Sequence, residues 1–146
     1  MHSYFKIIVL ILTLFTLVGC GGNSRIDSGE IKMSSKDREL VIKMILDHPD
    51  LQQYLHPELL ERIPVKVSHS SFSNQDISIS KFGESVLISS EKSTANSPNL
   101  DFVTFSEVGN SIEFEIAYDI EGVTVKGLAS KTGDSWNFSN FEVYEK

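Results

Sequence analysis

The chain has 146 residues and a formal net charge of −7, from 20 acidic and 13 basic residues. An acidic chain with no basic stripe is not typical of proteins that bind nucleic acid. Cys20 is the only cysteine, which excludes an internal disulfide bond and a metal cluster held by several thiolates. The length suits a single domain with its own hydrophobic core.

The N-terminal residues have the layout of an export signal. Lys6 is the only charged residue before Arg25, and it precedes an apolar run over residues 7–18. As a helix this run would span roughly 18 Å, whereas the hydrocarbon core of a bilayer is about 30 Å thick. The run is too short for a comfortable membrane span, and it therefore predicts a signal peptide over residues 1–19.

The apolar run ends in Leu17-Val18-Gly19-Cys20, which resembles the lipobox of bacterial lipoproteins. The resemblance implies cleavage before Cys20 and lipidation of its sulfur, with fatty-acyl chains such as palmitate that hold the protein on a membrane outside the cytoplasm. An aspartate after the cysteine would imply retention in the inner membrane, so Gly21 favours the outer membrane, facing the periplasm. The alternative interpretation is an uncleaved membrane helix with a structural cysteine.

The rest of the chain divides into a tether and one domain. Residues 20–34 contain the cysteine that the resemblance implies to be lipidated and a polar, glycine-containing stretch, and they predict a flexible tether. Fully extended, this stretch reaches on the order of 45 Å. Residues 35–146 carry the helical and strand patterns, and they predict a single α+β domain.

Residues 35–47 have the periodicity of an amphipathic helix. Its predicted apolar face consists of Leu40, Val41, Met44 and Ile45. Pro49 ends this helix because proline has no backbone N–H to donate. Asp50 then predicts the cap of a second, short helix, and Pro57 predicts the first turn of a third.

After Pro64 the periodicity changes to two. Residues 112–121 alternate apolar with mostly acidic side chains, which predicts a strand with one face buried and the other in water. Turns in which glycine or asparagine can adopt a positive φ predict hairpins. The predicted turns lie at Gly83-Glu84, Gly109-Asn110, Glu121-Gly122 and Gly133-Asp134.

Two-residue loops at the last three turns predict cross-strand neighbours that all fall on one face. A slip of one residue would invert every pair, so this agreement supports the register. The alternation breaks after Phe138 and predicts a β-bulge near Ser139-Asn140. The predicted pairs are Phe105 with Phe114, Val103 with Ile116, Val125 with Tyr118, Gly127 with Ile116, Ala129 with Phe114, and Phe138 with Ala129.

These elements predict an α+β fold in which N-terminal helices pack on one face of a curved antiparallel β-sheet. The sheet would combine a hairpin around Gly83-Glu84 with a four-stranded meander over residues 100–144. The small residue Gly127 would leave room for a helix against the sheet. Between hairpin and meander, residues 89–99 form a polar loop that we expect to be mobile.

The sequence shows no recognisable catalytic, metal-binding or cofactor-binding motif. Three histidines follow the predicted signal peptide, and none has the spacing of paired zinc ligands. These histidines are His48, His56 and His69. We therefore predict a protein that is not an enzyme and that holds no metal ion and no cofactor.

Acidic side chains line the outward face of the clearest strand, at Glu113, Glu115 and Asp119. Alternate residues of a strand stand about 7 Å apart, too far to share one calcium ion without ligands from loops. Paired carboxylates also suggest glycosidase chemistry, but a water-exposed face offers no desolvation to raise a pKa. We interpret this face as solvated, with Lys126 of the neighbouring strand beside its carboxylates.

Five aromatic residues fall on the predicted inner face: Phe105, Phe114, Tyr118, Trp136 and Phe138. They form either plain core beneath the helices or the wall of an apolar cavity for a small ligand. Residues 117–143, with the turn at 131–136, are similar to nuclear transport factor-like proteins and to membrane-anchored domains like the cytochrome oxidase assembly factor. The first resemblance implies a cone-shaped pocket, although the Asp/His pairs of its enzymes have no counterpart here.

The leading functional hypothesis is a membrane-anchored, non-catalytic module that binds another envelope protein during assembly or regulation. The alternative is a carrier or sensor of a small apolar ligand in a cone-like pocket. An enzyme is a third hypothesis, which would require acids and histidines from distant loops to converge. The expected partners are the membrane, through the lipid anchor, and an envelope protein, but not nucleic acid.

Overall fold

The computed structural model describes residues 33–73, 76–94 and 96–146. The predicted signal peptide, the lipobox with Cys20 and most of the predicted tether lie outside the described residues. Strands hold 44% of the described residues and helices 21%, so this part of the chain is mainly β-structure.

Two α-helices, two 3-10 turns and eight strands make up the described chain. In order they are α1 (Ser35–Asp47), α2 (Pro49–Gln52), a 3-10 turn (Leu60–Arg62), β1 (Lys66–Ser68), β2 (Ser80–Lys81), β3 (Glu84–Ser85), β4 (Leu87–Ser89), β5 (Asn99–Val108), β6 (Ser111–Tyr118), a 3-10 turn (Asp119–Glu121), β7 (Val123–Thr132) and β8 (Ser135–Glu145). Six strands form one sheet in the order β4-β1-β5-β6-β7-β8, and β2 pairs with β3 separately. β1 runs parallel to β4 and β5, whereas β5 to β8 are antiparallel.

The predicted α+β fold, with several N-terminal helices on a purely antiparallel sheet, is wrong. Within the described residues α1 is the only helix longer than about one turn, and the sheet is mixed because β1 and β4 join it in parallel. These two strands hold three residues each, too few to show an alternation in the sequence. The hairpin predicted at Gly83-Glu84 forms with Phe82 and Gly83 as its loop, but as a separate pair.

Helix α1 has the predicted bounds, but its buried face differs from the predicted one. Four of its residues are completely buried: Val41, Ile42, Ile45 and Leu46. Leu40 is 40% exposed, and Met44 is only partly buried. The helix is therefore rotated so that Ile42 and Leu46, rather than Leu40 and Met44, face the core.

The second and third predicted helices do not form as expected. α2 is a single turn with Pro49 at its first position, and His48 caps it instead of Asp50. Pro57 lies in a turn, and only a short 3-10 turn follows it before Pro64. A helix between these two prolines could hold at most about six residues, too few for stable helix formation without strong packing.

The meander of β5 to β8 is confirmed. Its strands follow one another in space, and two-residue loops join them at residues 109–110 and 133–134, as predicted. The confirmed cross-strand pairs are Phe105 with Phe114 and Phe138 with Ala129.

The register between β6 and β7 differs from the predicted one by two residues. β6 ends at Tyr118, and the connection holds the four residues 119–122, with Gly122 at a φ of +64°. A shift by two residues keeps every side chain on its predicted face but changes its partner. The observed pairs are Val125 with Ile116, Gly127 with Phe114, and Ala129 with Ile112.

A bulge in β5 overturns the predicted pair of Val103 and Ile116. Phe102 pairs with Ile116 and Thr104 with Glu115, which leaves Val103 without a partner on β6. The Val103 side chain is 56% exposed instead of facing the core.

The predicted bulge in β8 is confirmed. Ala129 pairs with Phe138 and Leu128 with Asn140, so Ser139 is the extra residue. The bulge resets the alternation, and Phe138 and the later Phe141 consequently lie on the same, inner face.

The space beside Gly127 is occupied by an aromatic ring rather than by a helix. A Cβ atom at Gly127 would lie 2.4 Å from Cζ of Phe114, its cross-strand neighbour, and 2.7 Å from the backbone oxygen of Asn140. The prediction that Gly127 leaves room for a helix is therefore wrong, because the ring of its cross-strand neighbour Phe114 takes that room.

The two faces of the sheet are covered differently. On the inner face, the buried side chains of α1 and of Phe72, Ile77 and Ile79 pack into the same apolar core as the sheet. On the outer face, Ser93 binds the buried Asp101 at the start of β5, next to the buried Ser68 of β1. Within the described residues no layer covers the outer face across β6 to β8.

Candidate functional site

The outer face of the meander presents rows of side chains that cross the strands. Neighbouring strands lie about 4.8 Å apart, so a row over four strands spans roughly 14 Å. One row consists of Thr104, Glu115, Lys126 and Glu142, and the next of Asp101, Ala117, Thr124 and Tyr144. We call this outward surface, without the buried Asp101, the open face. It consists of Thr104, Glu113, Glu115, Ala117, Thr124, Lys126, Asn140, Glu142 and Tyr144.

Lys126 is the single basic residue of the open face. Its Nζ lies 3.2 Å from Oε2 of Glu115, which confirms that Lys126 stands beside the carboxylates of the neighbouring strand. The Lys126 side chain is 51% exposed, so the ion pair adds little to stability. Lys126 is also the register neighbour of Glu142, but its ammonium group binds Glu115.

Glu142 is held by neutral donors. The Asn140 amide donates to Oε1 of Glu142 at 3.1 Å, and the Tyr144 hydroxyl donates to Oε2. A shallow hollow of about 350 Å³ lies along these side chains, and it extends to Glu115. Because Tyr144 is 47% exposed, an oriented carboxylate stands beside an exposed aromatic residue.

The predicted acidic row is shorter than expected. Glu113 and Glu115 lie on the outer face of β6, as predicted. Asp119 lies in the turn after β6, where Lys146 binds it at 3.0 Å.

A buried polar network lies on the outer face where β1 and β5 run in parallel. Asp101 is 6% exposed and accepts hydrogen bonds from Ser68, from Asn99 at 2.6 Å and from the Ser93 hydroxyl at 2.8 Å. Burial raises the pKa of Asp101, but the bonds from Ser68, Ser93 and Asn99 outweigh it and hold the pKa below its ordinary value. The network fixes Ser93, which belongs to the loop predicted to be mobile.

A crevice of about 260 Å³ borders this network, and His69 and Lys92 help to line it. The Nδ1 atom of His69 accepts a bond from the Ser71 backbone N–H at 3.2 Å, and burial lowers the pKa of His69. Asp101 accepts a bond from Ser68 and makes none with His69. The Ser71 hydroxyl also lies 2.7 Å from Nδ1 of His69. A serine and a histidine are thus paired, but Asp101 does not contact His69 and cannot orient it as the acid of a catalytic triad does.

The other two histidines make structural contacts. His48 caps α2 and stacks on Phe141, with ring centroids 3.5 Å apart. His56 lies 2.8 Å from Glu58 and 3.7 Å from Glu121. No group of three or more His, Cys, Asp or Glu residues in the described part of the chain could hold a metal ion.

The five aromatic residues predicted as core or pocket wall lie in separate environments. Phe105 packs edge-on against Phe72 and Phe102, with centroids 5.2 and 5.6 Å away. Phe114 and Phe138 contact each other at 5.9 Å. These three residues therefore belong to two aromatic clusters of the packed interior.

Tyr118 and Trp136 make polar contacts at the border of the core. The Tyr118 hydroxyl accepts a bond from the buried Arg62 at 2.8 Å, and Trp136 Nε1 donates to Asp37 at 2.9 Å. Hydrogen bonds from Lys131 and Trp136 hold the pKa of Asp37 well below its ordinary value. Both aromatic side chains thereby link the sheet to the segments packed on it.

Sequence reasoning missed Asp101, Glu142 and Tyr144. The alternation of the last strand could have placed Glu142 and Tyr144 on the outer face, opposite the inward Phe141 and Val143. No pattern in the sequence indicates that Asp101 is buried, because its burial depends on the short parallel strand β1 and on Ser93.

No protein-family model, curated protein or solved structure matches the chain. Within the described ranges, no helix has both the length and the apolar surface that spanning a bilayer requires. The function must therefore be inferred from the chain's own residues.

Proposed function

We propose that this protein is a lipid-anchored, non-catalytic module of the bacterial cell envelope that binds another protein through the open face. The lipobox-like sequence ending at Cys20 supports the anchor, and Gly21 supports the outer membrane, facing the periplasm. One observation carries the binding: within the described residues, an acidic sheet face with an oriented carboxylate has no covering layer.

The charge of the open face favours a basic partner. Glu113, Glu115 and Glu142 oppose the single positive charge of Lys126. A negative surface attracts a positive one during encounter and repels other acidic proteins. The net charge of −7 for the whole chain acts in the same direction.

The position of the open face suits an anchored protein. The backbone N–H of Met33 donates to Glu107 at 3.0 Å, so the chain enters the described domain beside the turn at 109–110. Ala117 lies six residues beyond Ser111, the start of β6, which corresponds to roughly 20 Å along the strand. The open face therefore begins near the entry of the tether, at Glu113, and extends away from it to the row through Ala117.

In-cell cross-linking of the full-length lipoprotein, followed by affinity purification and mass spectrometry, tests the proposed binding. We expect one envelope protein in stoichiometric amount. Glu113→Lys combined with Glu142→Lys should abolish its recovery, because the variant reverses the charge of the open face.

The matched control is Glu84→Lys combined with Glu91→Lys. It changes the net charge equally, and both residues are exposed and do not belong to the open face. The control should recover the partner as the wild type does. Equal recovery from both variants, or no partner from the wild type, would contradict the proposal.

The anchor has its own test. Cys20→Ala should abolish labelling by radioactive palmitate and leave an uncleaved precursor, because the lipidated sulfur is lost. Gel migration and lipid labelling of the expressed protein measure both effects. Unchanged labelling would refute the anchor without bearing on the open face.

The alternative, a carrier of a small apolar ligand, stays a prediction. The aromatic residues that motivated it pack against one another and against other core residues. The open face is therefore the better supported site.

A further inference from the structure

We infer that the partner presents an arginine to the open face and that Glu142 and Tyr144 receive it. The inference rests on the proposed function and adds the chemical identity of the group that is recognised. Three features of the face carry it: an oriented carboxylate, the lack of a basic partner for that carboxylate, and an exposed aromatic residue.

The carboxylate of Glu142 is oriented before any partner arrives. Asn140 donates to one of its oxygens and Tyr144 to the other. Each carboxylate oxygen has a second lone pair, so both can still accept a bond from a two-pronged guanidinium group. A side chain already held by its neighbours loses less entropy on binding than a free one.

The charge of Glu142 has no basic partner within the described residues. Lys126 is its cross-strand neighbour, yet the ammonium group of Lys126 binds Glu115. An incoming cation can therefore bind Glu142 without displacing an internal ion pair. Charge-assisted bonds of this kind are about twice as strong as bonds between neutral groups.

Tyr144 favours arginine over lysine as the incoming cation. Tyr144 is 47% exposed and lies on the same face as Glu142. A hollow of about 360 Å³ beside it is lined also by Thr124 and Lys126. A planar guanidinium can stack on a ring while it donates to a carboxylate, whereas an ammonium group is a compact, strongly hydrated point charge.

Fluorescence anisotropy with defined peptides tests the inference. The labelled probe is an acetylated peptide of four Ser-Arg repeats, with four Ser-Lys repeats for comparison, titrated with the full-length lipoprotein in detergent micelles. We expect the arginine peptide to bind about tenfold more tightly than the lysine peptide. Glu142→Gln and Tyr144→Leu should each weaken arginine binding by about tenfold.

Two further variants separate recognition from general charge and from folding. Tyr144→Phe keeps the ring and should weaken binding by less than about threefold. Glu84→Gln removes an exposed charge from the β2–β3 hairpin and should leave binding unchanged. Circular dichroism spectra should be the same for all variants, because these side chains are exposed.

Equal binding of the two peptides, or unchanged binding by Glu142→Gln and Tyr144→Leu, would overturn the inference. A loss with Tyr144→Phe as large as with Tyr144→Leu would overturn the stacking on the ring. If cells that carry Glu142→Gln still yield the cross-linked partner in full, the proposed protein binding stands, but the recognition of an arginine by Glu142 is refuted. If wild-type cells yield no cross-linked partner while the peptides behave as expected, the open face binds arginine, but the proposed binding of an envelope protein is refuted.

Discussion

The antiparallel and the parallel halves of the sheet share one apolar core, but the parallel half adds a buried polar network on its outer face. In the meander, long strands bury inner residues such as Phe114 and Ile116 almost completely. In the parallel half, β1 and β4 hold three residues each, and Asp101 gathers hydrogen bonds from Ser68 and Ser93 on the outer face. Apolar burial is not directional, whereas a buried polar network requires every donor and acceptor to be in place.

This difference predicts how each half responds to change. Loss of apolar volume from the meander should lower the free energy of unfolding strongly and at every pH. At neutral pH, loss of the polar network should lower the free energy of unfolding less than loss of apolar volume does. The contribution of the network should also depend on pH, because it includes a carboxylate.

Phe114→Ala should have the largest effect, a loss of about 4 kcal/mol in the free energy of unfolding. Phe114 is 1% exposed and contacts Phe138, so truncation leaves a cavity. Urea denaturation at pH 7 measures the loss. Val108→Ala in the same meander, at a 57% exposed site, should cost less than about 0.5 kcal/mol. Similar losses for both would show that the meander does not depend on its inner face.

Gly127→Leu should cost about 3 kcal/mol, because even its Cβ atom would overlap the Phe114 ring and the Asn140 backbone. Gly133→Ala is the comparison: it has open space around it and a φ of +60°, so only backbone strain of about 1 kcal/mol should result. In urea denaturation, Gly127→Leu combined with Phe114→Ala should cost less than the sum of the single losses. Strict additivity would contradict the contact between Gly127 and Phe114.

Asp101→Ala should cost about 2 kcal/mol at pH 7, because it leaves the buried Ser68 hydroxyl without its acceptor and removes one of the two bonds that the Asn99 amide donates. The pKa of Asp101 is lower in the folded state than its unfolded value of about 3.9. The carboxylate therefore stabilises the fold above that unfolded value, and this contribution is lost as the pH falls through the folded pKa. Urea denaturation at pH 7 and at pH 3 should show the difference from wild type shrinking.

The control for Asp101 is Asp119→Ala, which removes an exposed carboxylate bound to Lys146. It should change the free energy of unfolding by less than about 0.5 kcal/mol at either pH. A difference for Asp101→Ala that stays constant with pH would mean that the charge of Asp101 is not what holds the parallel half.

Glu113→Gln should have the smallest effect on stability, within about 0.5 kcal/mol of wild type, because Glu113 is exposed on the outer face. Thermal unfolding followed by circular dichroism measures it. A clear loss would mean that the open face contributes to folding, and its acids could then not be explained by partner binding alone.

The sequence predicted the meander well because its signals are local. Alternation over eight or more residues places side chains on faces, and glycine turns bring successive strands together. The register of β6 and β7 was wrong because Asp119–Glu121 continue the alternation. Ile120 still packs against the core from within a 3-10 turn, so an apolar residue at this position cannot distinguish a turn from a strand.

The parallel half and the buried network could not be predicted from such signals. Strands of three residues carry no measurable period, and parallel pairing joins segments that are distant in the chain. The environment of Asp101 depends on Ser68, 33 positions earlier. Of the open face, Glu113, Glu115 and Lys126 were foreseen, but Glu142 and Tyr144 required the register after the bulge in β8.

The bulge at Ser139 has a consequence for many copies on one membrane. β8 is an edge strand of 11 residues, and a regular edge of this length invites strand addition between molecules. On the proposed membrane surface, anchored copies would meet in two dimensions with their edges similarly oriented. The extra residue breaks the regular spacing of the backbone hydrogen-bonding groups, and the charges of Glu142 and Glu145 repel a second copy of the same edge. If the protein is anchored as proposed, these features would disfavour pairing between the β8 edges of crowded copies.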